Sequence, residues 1–206
     1  CSWYNSRSIP LLADFLKVHQ IPIVYTYTEL SEEQGQIFLK ASILSVNKAF
    51  GNGIDIHVIY HGTEDTEFLE WLTAHHAIIH KHEPEWLWMM DYMRSIANEE
   101  SSHLYSHRGN YIGTWQRIDI PYFINAEYCL LLDADTIVHA KFNLADFGLD
   151  ITPGLAFSAE MWENDRQPSN AGVALFNVPR LRETYKAFLT FVQGHVVLRA
   201  DFALGP

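Results

Sequence analysis

The run from Cys129 to Val138, Cys-Leu-Leu-Leu-Asp-Ala-Asp-Thr-Ile-Val, constrains the fold more than any other part of the chain. Leu130, Leu131 and Leu132 follow one another without a polar break, the pattern of a strand buried on both faces, as inside a parallel sheet. Asp133 then falls at the carboxyl end of that strand, the edge where open α/β sheets bind ligands. If the chain stays extended, Asp133 and Asp135 point to one side and offer two hard oxygen donors suited to Mn²⁺ or Mg²⁺ holding a diphosphate. A strand-to-turn exit with solvated aspartates fits a bare D-x-D equally well, so the surrounding sequence has to decide.

At 206 residues the chain can bury a sizeable core, and one domain over residues 1–206 is the simplest organisation. A hydrophobic content of 48% with 19% charged residues excludes disorder as a description of the whole. The net charge of -11 argues against nucleic acid or an anionic membrane as the main partner, because both demand clustered Lys and Arg. An anionic ligand would then need local neutralisation, which a bound cation supplies. Cys1 and Cys129 are the only cysteines, and with one at the terminus and one on the expected buried strand a disulfide framework is not expected. No apolar stretch reaches the roughly 20 residues that span a bilayer, and no secretory signal opens the chain. Because it starts with Cys and stops at Ala-Leu-Gly-Pro206, targeting or anchoring parts are expected to be missing, which leaves both cytoplasm and Golgi lumen open.

Along the chain, strands and helices alternate. Ile21-Pro-Ile-Val-Tyr-Thr-Tyr27 predicts a first strand. Ser31-Glu-Glu-Gln34 has the form of a capping box, and Ile37, Ala41, Leu44 and Lys48 then trace a partly apolar face of a helix, after which Gly51-Asn-Gly53 closes the helix or turns the chain. Ile54, Ile56, Val58 and Ile59 predict a second strand, and a helix is expected from Gly62-Thr63 through about Ile79. A Met-rich and aromatic helix is expected over Glu85 to Ala97, a polar loop over Asn98 to Arg108, and a short helix over Thr114 to Asp119. Leu155-Ala-Phe-Ser and Val173-Ala-Leu-Phe predict two further strands, and Pro179 suits the first turn of a last helix over Arg180 to Gln193. This alternation predicts an α/β fold with a mostly parallel sheet flanked by helices.

Several constellations carry chemistry only in combination. His76 and His80 stand four apart on the expected helix with His75 and His82 nearby, yet no HExxH pattern or cysteine accompanies them, so satisfied or solvated histidines are the better reading. Trp86, Trp88, Met89, Met90 and Tyr92 suit core packing better than a sugar-binding surface. Arg117 stands sixteen residues before Asp133, where a guanidinium can reach a diphosphate or simply face solvent. Asn170-Ala-Gly172 opens an apolar strand, and Gly172 permits close backbone approach to a ligand.

Taken in order, Arg117-Ile-Asp-Ile-Pro121, Tyr128-Cys-Leu-Leu-Leu-Asp-Ala-Asp-Thr-Ile-Val138 and Asn170-Ala-Gly-Val-Ala-Leu-Phe-Asn177 resemble glycosyltransferase family 8, the retaining enzymes of GT-A (Rossmann-like) fold that include glycogenin and bacterial galactosyltransferases. The resemblance runs from about Ile21 to the end. It implies a hexosyl- or pentosyltransferase that moves a sugar from a nucleotide-sugar donor, a UDP-sugar first among candidates, to a glycan, glycolipid or protein acceptor. It also implies Mn²⁺ or Mg²⁺ held by Asp133 and Asp135, and Arg117 near the donor sugar or phosphates. Thr26, Tyr27, Thr28 and Ala134 would contact the nucleotide, with Tyr27 stacking on uracil, and Asn170, Ala171 and Gly172 would contact the donor sugar. Family members continue into an Asp-Gln element and a metal-binding His, so the C-terminal part of the family domain is expected to be absent here; Asp201 precedes that pair and takes no role.

Two other classes compete. A haloacid-dehalogenase type phosphatase also places D-x-D after an apolar strand, with Asp133 as nucleophile and Asp135 as acid/base, but that motif opens its domain, whereas here two β-α units come first. A non-catalytic sugar-nucleotide-binding module would keep the fold without turnover.

Overall fold

A computed structural model of the chain describes residues 21–30, 33–62, 65–95, 108–143, 154–159 and 169–203. Six strands form one sheet in the order β3-β2-β1-β4-β6-β5: β1 Ile23–Thr28, β2 Ile56–His61, β3 Ala77–Lys81, β4 Tyr128–Leu132, β5 Leu155–Ala159 and β6 Ser169–Asn177. The β1/β2, β2/β3 and β1/β4 pairs are parallel, while β6 runs antiparallel to both β4 and β5. The expected α/β sheet flanked by helices is therefore present, with an antiparallel pair completing one side.

Helices cover both faces because the strands alternate two apolar sets. On one face, Ile23, Tyr25 and Tyr27 of β1, Val58 and Tyr60 of β2, and Leu130 and Leu132 of β4 pack with Leu39, Ile43 and Val46 of α1 (Glu33–Phe50) and with Phe68 and Leu72 of α2 (Thr66–Ala74). On the other, Val24, Ile59, Cys129 and Leu131 meet Ile120 of α5 (Ile120–Phe123) and Val178 of α6 (Val178–Ala203). A third cluster joins Trp86, Met89 and Met90 around α3 (Leu87–Ser95) to Ile112 of α4 (Arg108–Trp115) and to Leu189 of α6. Cys129 through Leu132 are buried on both faces, as the unbroken apolar run predicts, and at roughly 1.5–3 kcal/mol per fully buried large aliphatic side chain this fixes β4 at the centre of the sheet.

Four sequence expectations need correction. The stripe of Ile37, Ala41 and Leu44 does not face the core: Ile37 and Leu44 are exposed, and α1 instead buries Leu39, Ser42, Ile43 and Val46, a second stripe one residue-step around the helix. The helix expected through Ile79 ends at Ala74, where His76 turns the chain with a φ of 62°, and Ala77–Lys81 forms the edge strand β3. This breaks the helical spacing of His76 and His80, since His76 lies in the turn and His80 in a strand. Arg108 opens a helix instead of closing a loop, and the residues expected as one short helix divide between α4 and a 3₁₀ turn over Gln116–Asp119. The Ser31 capping box, the polar segment at 98–107 and Cys1 lie outside the described residues. No described helix is long and apolar enough to cross a membrane.

The topology positions the site. From β1 the chain steps outward through β2 and β3, then returns to place β4 on the other side of β1. The carboxyl ends of β1 and β4 thus flank a topological switch point, where open α/β sheets form their ligand crevice.

Candidate functional site

Asp133 follows β4 at this switch point, and two other stretches of sequence meet on it. Its backbone N–H donates to the Gly172 carbonyl of β6 at 2.8 Å. Its carboxylate Oδ1 accepts from Arg117 Nη2 at 3.1 Å, with the Arg117 side chain only 17% exposed and that of Asp133 42% exposed. Asp133 continues the alternation of Cys129 and Leu131 toward the face that carries the 3₁₀ turn, which is why Arg117 reaches it. The motifs around residues 117, 133 and 172 therefore converge in space as well as in order.

The chain does not remain extended past Asp133. Thr136 N–H donates to the Asp133 carbonyl at 3.0 Å, closing a turn over Asp133-Ala-Asp-Thr136, so Asp135 is presented from a turn and is exposed. The ladder to β6 ends at the Gly172 bond, and an i to i+3 bond is the local way to satisfy the next backbone donor. Ala134 is half-buried against the first core cluster, and Val138 N–H donates to Ser45 Oγ of α1 at 2.9 Å, anchoring the segment beyond the turn. Partial burial pushes the Asp133 carboxyl above its ordinary range, Arg117 draws it back down, and the nearby Asp135 charge raises it. A carboxylate in that position gains from further positive charge.

The donor set suits a hard divalent cation. Asp133 and Asp135 are both oxygen donors; among the described residues no group of three or more His, Cys, Asp or Glu that could hold a metal ion is present.

At the end of β1 the residues expected at the nucleotide have other partners. Tyr27 is 4% exposed, its ring packed 5.1 Å from Phe68 and 5.5 Å from Tyr60, so stacking on a base would require it to leave the core. Thr28 is fully buried with its hydroxyl 2.8 Å from His61 Nδ1, and Thr26 Oγ1 donates to the Gly113 carbonyl of α4 at 2.7 Å. The Thr26 bond ties α4 to β1, and the Thr28 bond ties β1 to β2. Asn170 and Ala171 belong to β6, next to Gly172 along the strand, and their side chains lie outside the described residues.

Sequence reasoning missed a second polar group on the same edge. A cleft of about 510 Å³ opens at the carboxyl ends of β1, β2 and β3, lined by Glu29, His61, Lys81 and His82 among others. His61 Nε2 lies 3.0 Å from a Glu83 carboxylate oxygen, and His82 Nε2 lies 2.8 Å from Asp119 Oδ2. The signals in the sequence were His82, set aside as satisfied or solvated, and Asp119, an acid set between Ile118 and Ile120. His57 and His80 form a separate pair with Nδ1 and Nε2 2.8 Å apart and rings stacked.

No protein-family model and no curated protein sequence matches the chain. Solved structures do. The apo form of the glycosyltransferase GlyE of Streptococcus pneumoniae TIGR4 superposes with a TM-score of 0.55 at 17% identity, covering 85% of this chain and 39% of GlyE. A second GlyE structure gives a TM-score of 0.52 at 18% identity, covering 89% and 39%. The apo form of mouse xyloside xylosyltransferase 1 gives a TM-score of 0.52 at 15% identity, covering 85% of this chain and 74% of that one. The chain thus spans 39% of the length of GlyE. At such identities the likeness speaks for architecture, and it agrees with the six-stranded, mostly parallel sheet: the chain has the α/β fold of these glycosyltransferases.

Proposed function

We propose that the chain is the nucleotide-sugar-binding part of a metal-dependent glycosyltransferase of the family 8 type, acting on a UDP-sugar with retention of configuration. The observation that carries this reading is the convergence on Asp133 of Arg117 from before β4 and Gly172 from β6, at the switch point of a glycosyltransferase-like sheet.

In this reading Asp133 and Asp135 hold Mn²⁺ or Mg²⁺, which when bound supplies the positive charge that stabilises the leaving diphosphate. Arg117, aimed at the same point by its bond to Asp133, contributes a second fixed positive charge and orients the donor through the planar geometry of its guanidinium. Because this charge is in place before the donor arrives, little reorganisation is required as the glycosyl–phosphate bond breaks. The backbone at Gly172 forms one wall, and with no side chain it admits the donor sugar closely. The acceptor in this reading is a glycan, glycolipid or protein hydroxyl.

A screen of UDP-sugars for Mn²⁺-dependent hydrolysis or transfer, run on this chain and on a version extended beyond Pro206, tests the proposal. Release of UDP only with Mn²⁺, lost on Asp135→Ala, is the expected result. Metal-dependent hydrolysis of simple phosphate esters with no effect on UDP-sugars would favour a phosphatase, and UDP binding without turnover in the extended protein a binding module.

A further inference from the structure

The 3₁₀ turn Gln116–Asp119 carries two charged residues with opposite placements. Arg117 reaches out to Asp133 at the sheet edge, whereas Asp119, two residues on, is 1% exposed. The Asp119 carboxylate accepts three hydrogen bonds: Oδ2 from His82 Nε2 and from Trp86 Nε1, each at 2.8 Å, and Oδ1 from the Tyr185 hydroxyl. These donors come from just after β3, just before α3 and the first half of α6, three elements far apart in sequence. Burying a carboxylate is costly, and a well-packed apolar residue of similar volume often serves stability as well or better, so a carboxylate here needs a reason beyond packing.

The neighbouring residues indicate that reason. Gln116, at the start of the same turn, is fully buried, yet neither atom of its amide has a hydrogen-bond partner, so it gives the turn no polar anchor. Arg182 binds the carbonyls of Pro121 and Ile124, which fixes α5 and not the turn. Asp119 gives the turn a directional hold from three separate elements at once. We propose that Asp119 is a positioning residue of the donor site, holding the turn at an orientation that presents Arg117 to Asp133; this rests on the donor-site reading of Asp133. Asp119 acts on Arg117 through the backbone between residues 117 and 119.

The test compares Asp119→Asn with wild type. The amide is nearly isosteric but places a donor where three donors already converge, so the grip loosens without a cavity. The first readout is restricted rotation of the Arg117 guanidinium by ¹⁵N NMR on the free protein, which needs no metal, donor or turnover. Rotation is expected to be freed in Asp119→Asn as it is in Asp133→Asn, and to stay restricted in Tyr25→Phe, which removes a buried hydrogen bond to Ser42 elsewhere in the core. The second readout is the dissociation constant for UDP with Mn²⁺, expected to rise about tenfold, as for other supporting residues of ligand sites, and to rise no further when Asp119→Asn is added to Arg117→Ala. Tyr185→Phe, which removes one of the three bonds, gives a smaller change in the same direction should Asp119→Asn not fold. Arg117 rotation that stays restricted in a folded Asp119→Asn, or additive losses in the double variant, would overturn the proposal. If the wild type itself fails to bind UDP with Mn²⁺ the donor-site reading falls, while the guanidinium readout still decides whether Asp119 positions Arg117.

Discussion

The backbone N–H of Asp133 donates to the carbonyl of Gly172 at 2.8 Å, tying the end of β4 to β6 across 39 residues of sequence. That bond, with the Arg117 ion pair, makes the switch point a joint between three segments. Arg117 is the member whose removal leaves the fold and changes the charge. Without the guanidinium, burial and the Asp135 charge act on Asp133 unopposed, so Arg117→Met should move the Asp133 carboxyl titration upward. A ¹³C NMR titration of the side-chain carboxyls checks the direction, and an unchanged or lowered value would contradict the pairing.

Tyr27 separates core packing from base stacking. With its ring among Tyr60 and Phe68, Tyr27→Ala should cost roughly 3–5 kcal/mol in urea unfolding, the range for deleting a buried aromatic. Tyr27→Phe keeps the ring and should leave UDP affinity unchanged while costing about 1 kcal/mol for the lost hydroxyl interaction with Gln36. A loss of UDP affinity in Tyr27→Phe at unchanged stability would restore the residue to the nucleotide pocket.

The His57–His80 pair makes stability depend on pH. Burial first, and the neighbouring His80 second, push the His57 imidazole down to about 4, and burial lowers His80 as well. Both are harder to protonate folded than unfolded, so the unfolded chain takes up protons first as pH falls. Their contribution is complete above the ordinary histidine value of 6.5 and is lost progressively as pH drops toward about 4. Urea midpoints measured between pH 7.5 and 4.5 should decline, and His57→Gln should flatten the decline relative to wild type. Parallel curves for the two proteins would contradict this.

Gly62 closes β2 with a φ of 136°, and a Cβ there would lie 2.2 Å from Glu29 Cδ. Glu29 has little room to move, since its Oε1 accepts from the Tyr60 hydroxyl at 2.8 Å and from Asp65 N–H at 3.0 Å. Gly62→Ala should therefore destabilise by roughly 1–3 kcal/mol, read from the unfolding midpoint. Stability equal to wild type would show that the loop relaxes freely.

How far the sequence led follows from the range of the forces involved. β1 and β4 were legible because burial on both faces writes itself as continuous apolar residues, whereas Arg117, Asp133 and Gly172, each ambiguous alone, were grouped only by the resemblance of their three motifs, taken in order, to glycosyltransferase family 8. The edge strand β3 was not, since Ala77-Ile-Ile follows the α2 pattern without a Gly or Pro, and only the turn at His76 separates them. α1 carries two apolar stripes, and the choice of Leu39-Ile43-Val46 over Ile37-Leu44 is made by the strands beneath, not by the helix. Asp119 looked like one member of a motif. Its partners His82 and Tyr185 stand 37 and 66 residues away, beyond what local spacing can convey.

The central claim, a metal-assisted diphosphate site at Asp133 and Asp135, is tested most directly by titrating UDP into the protein by calorimetry with and without Mn²⁺, for wild type and Asp135→Ala. Asp135 is exposed on the turn, so its removal should leave the unfolding midpoint within about 0.5 kcal/mol of wild type. The predicted result is UDP binding by wild type only when Mn²⁺ is present, and none by Asp135→Ala under the same conditions. Equal UDP affinity in the two proteins, or wild-type affinity indifferent to Mn²⁺, would contradict it.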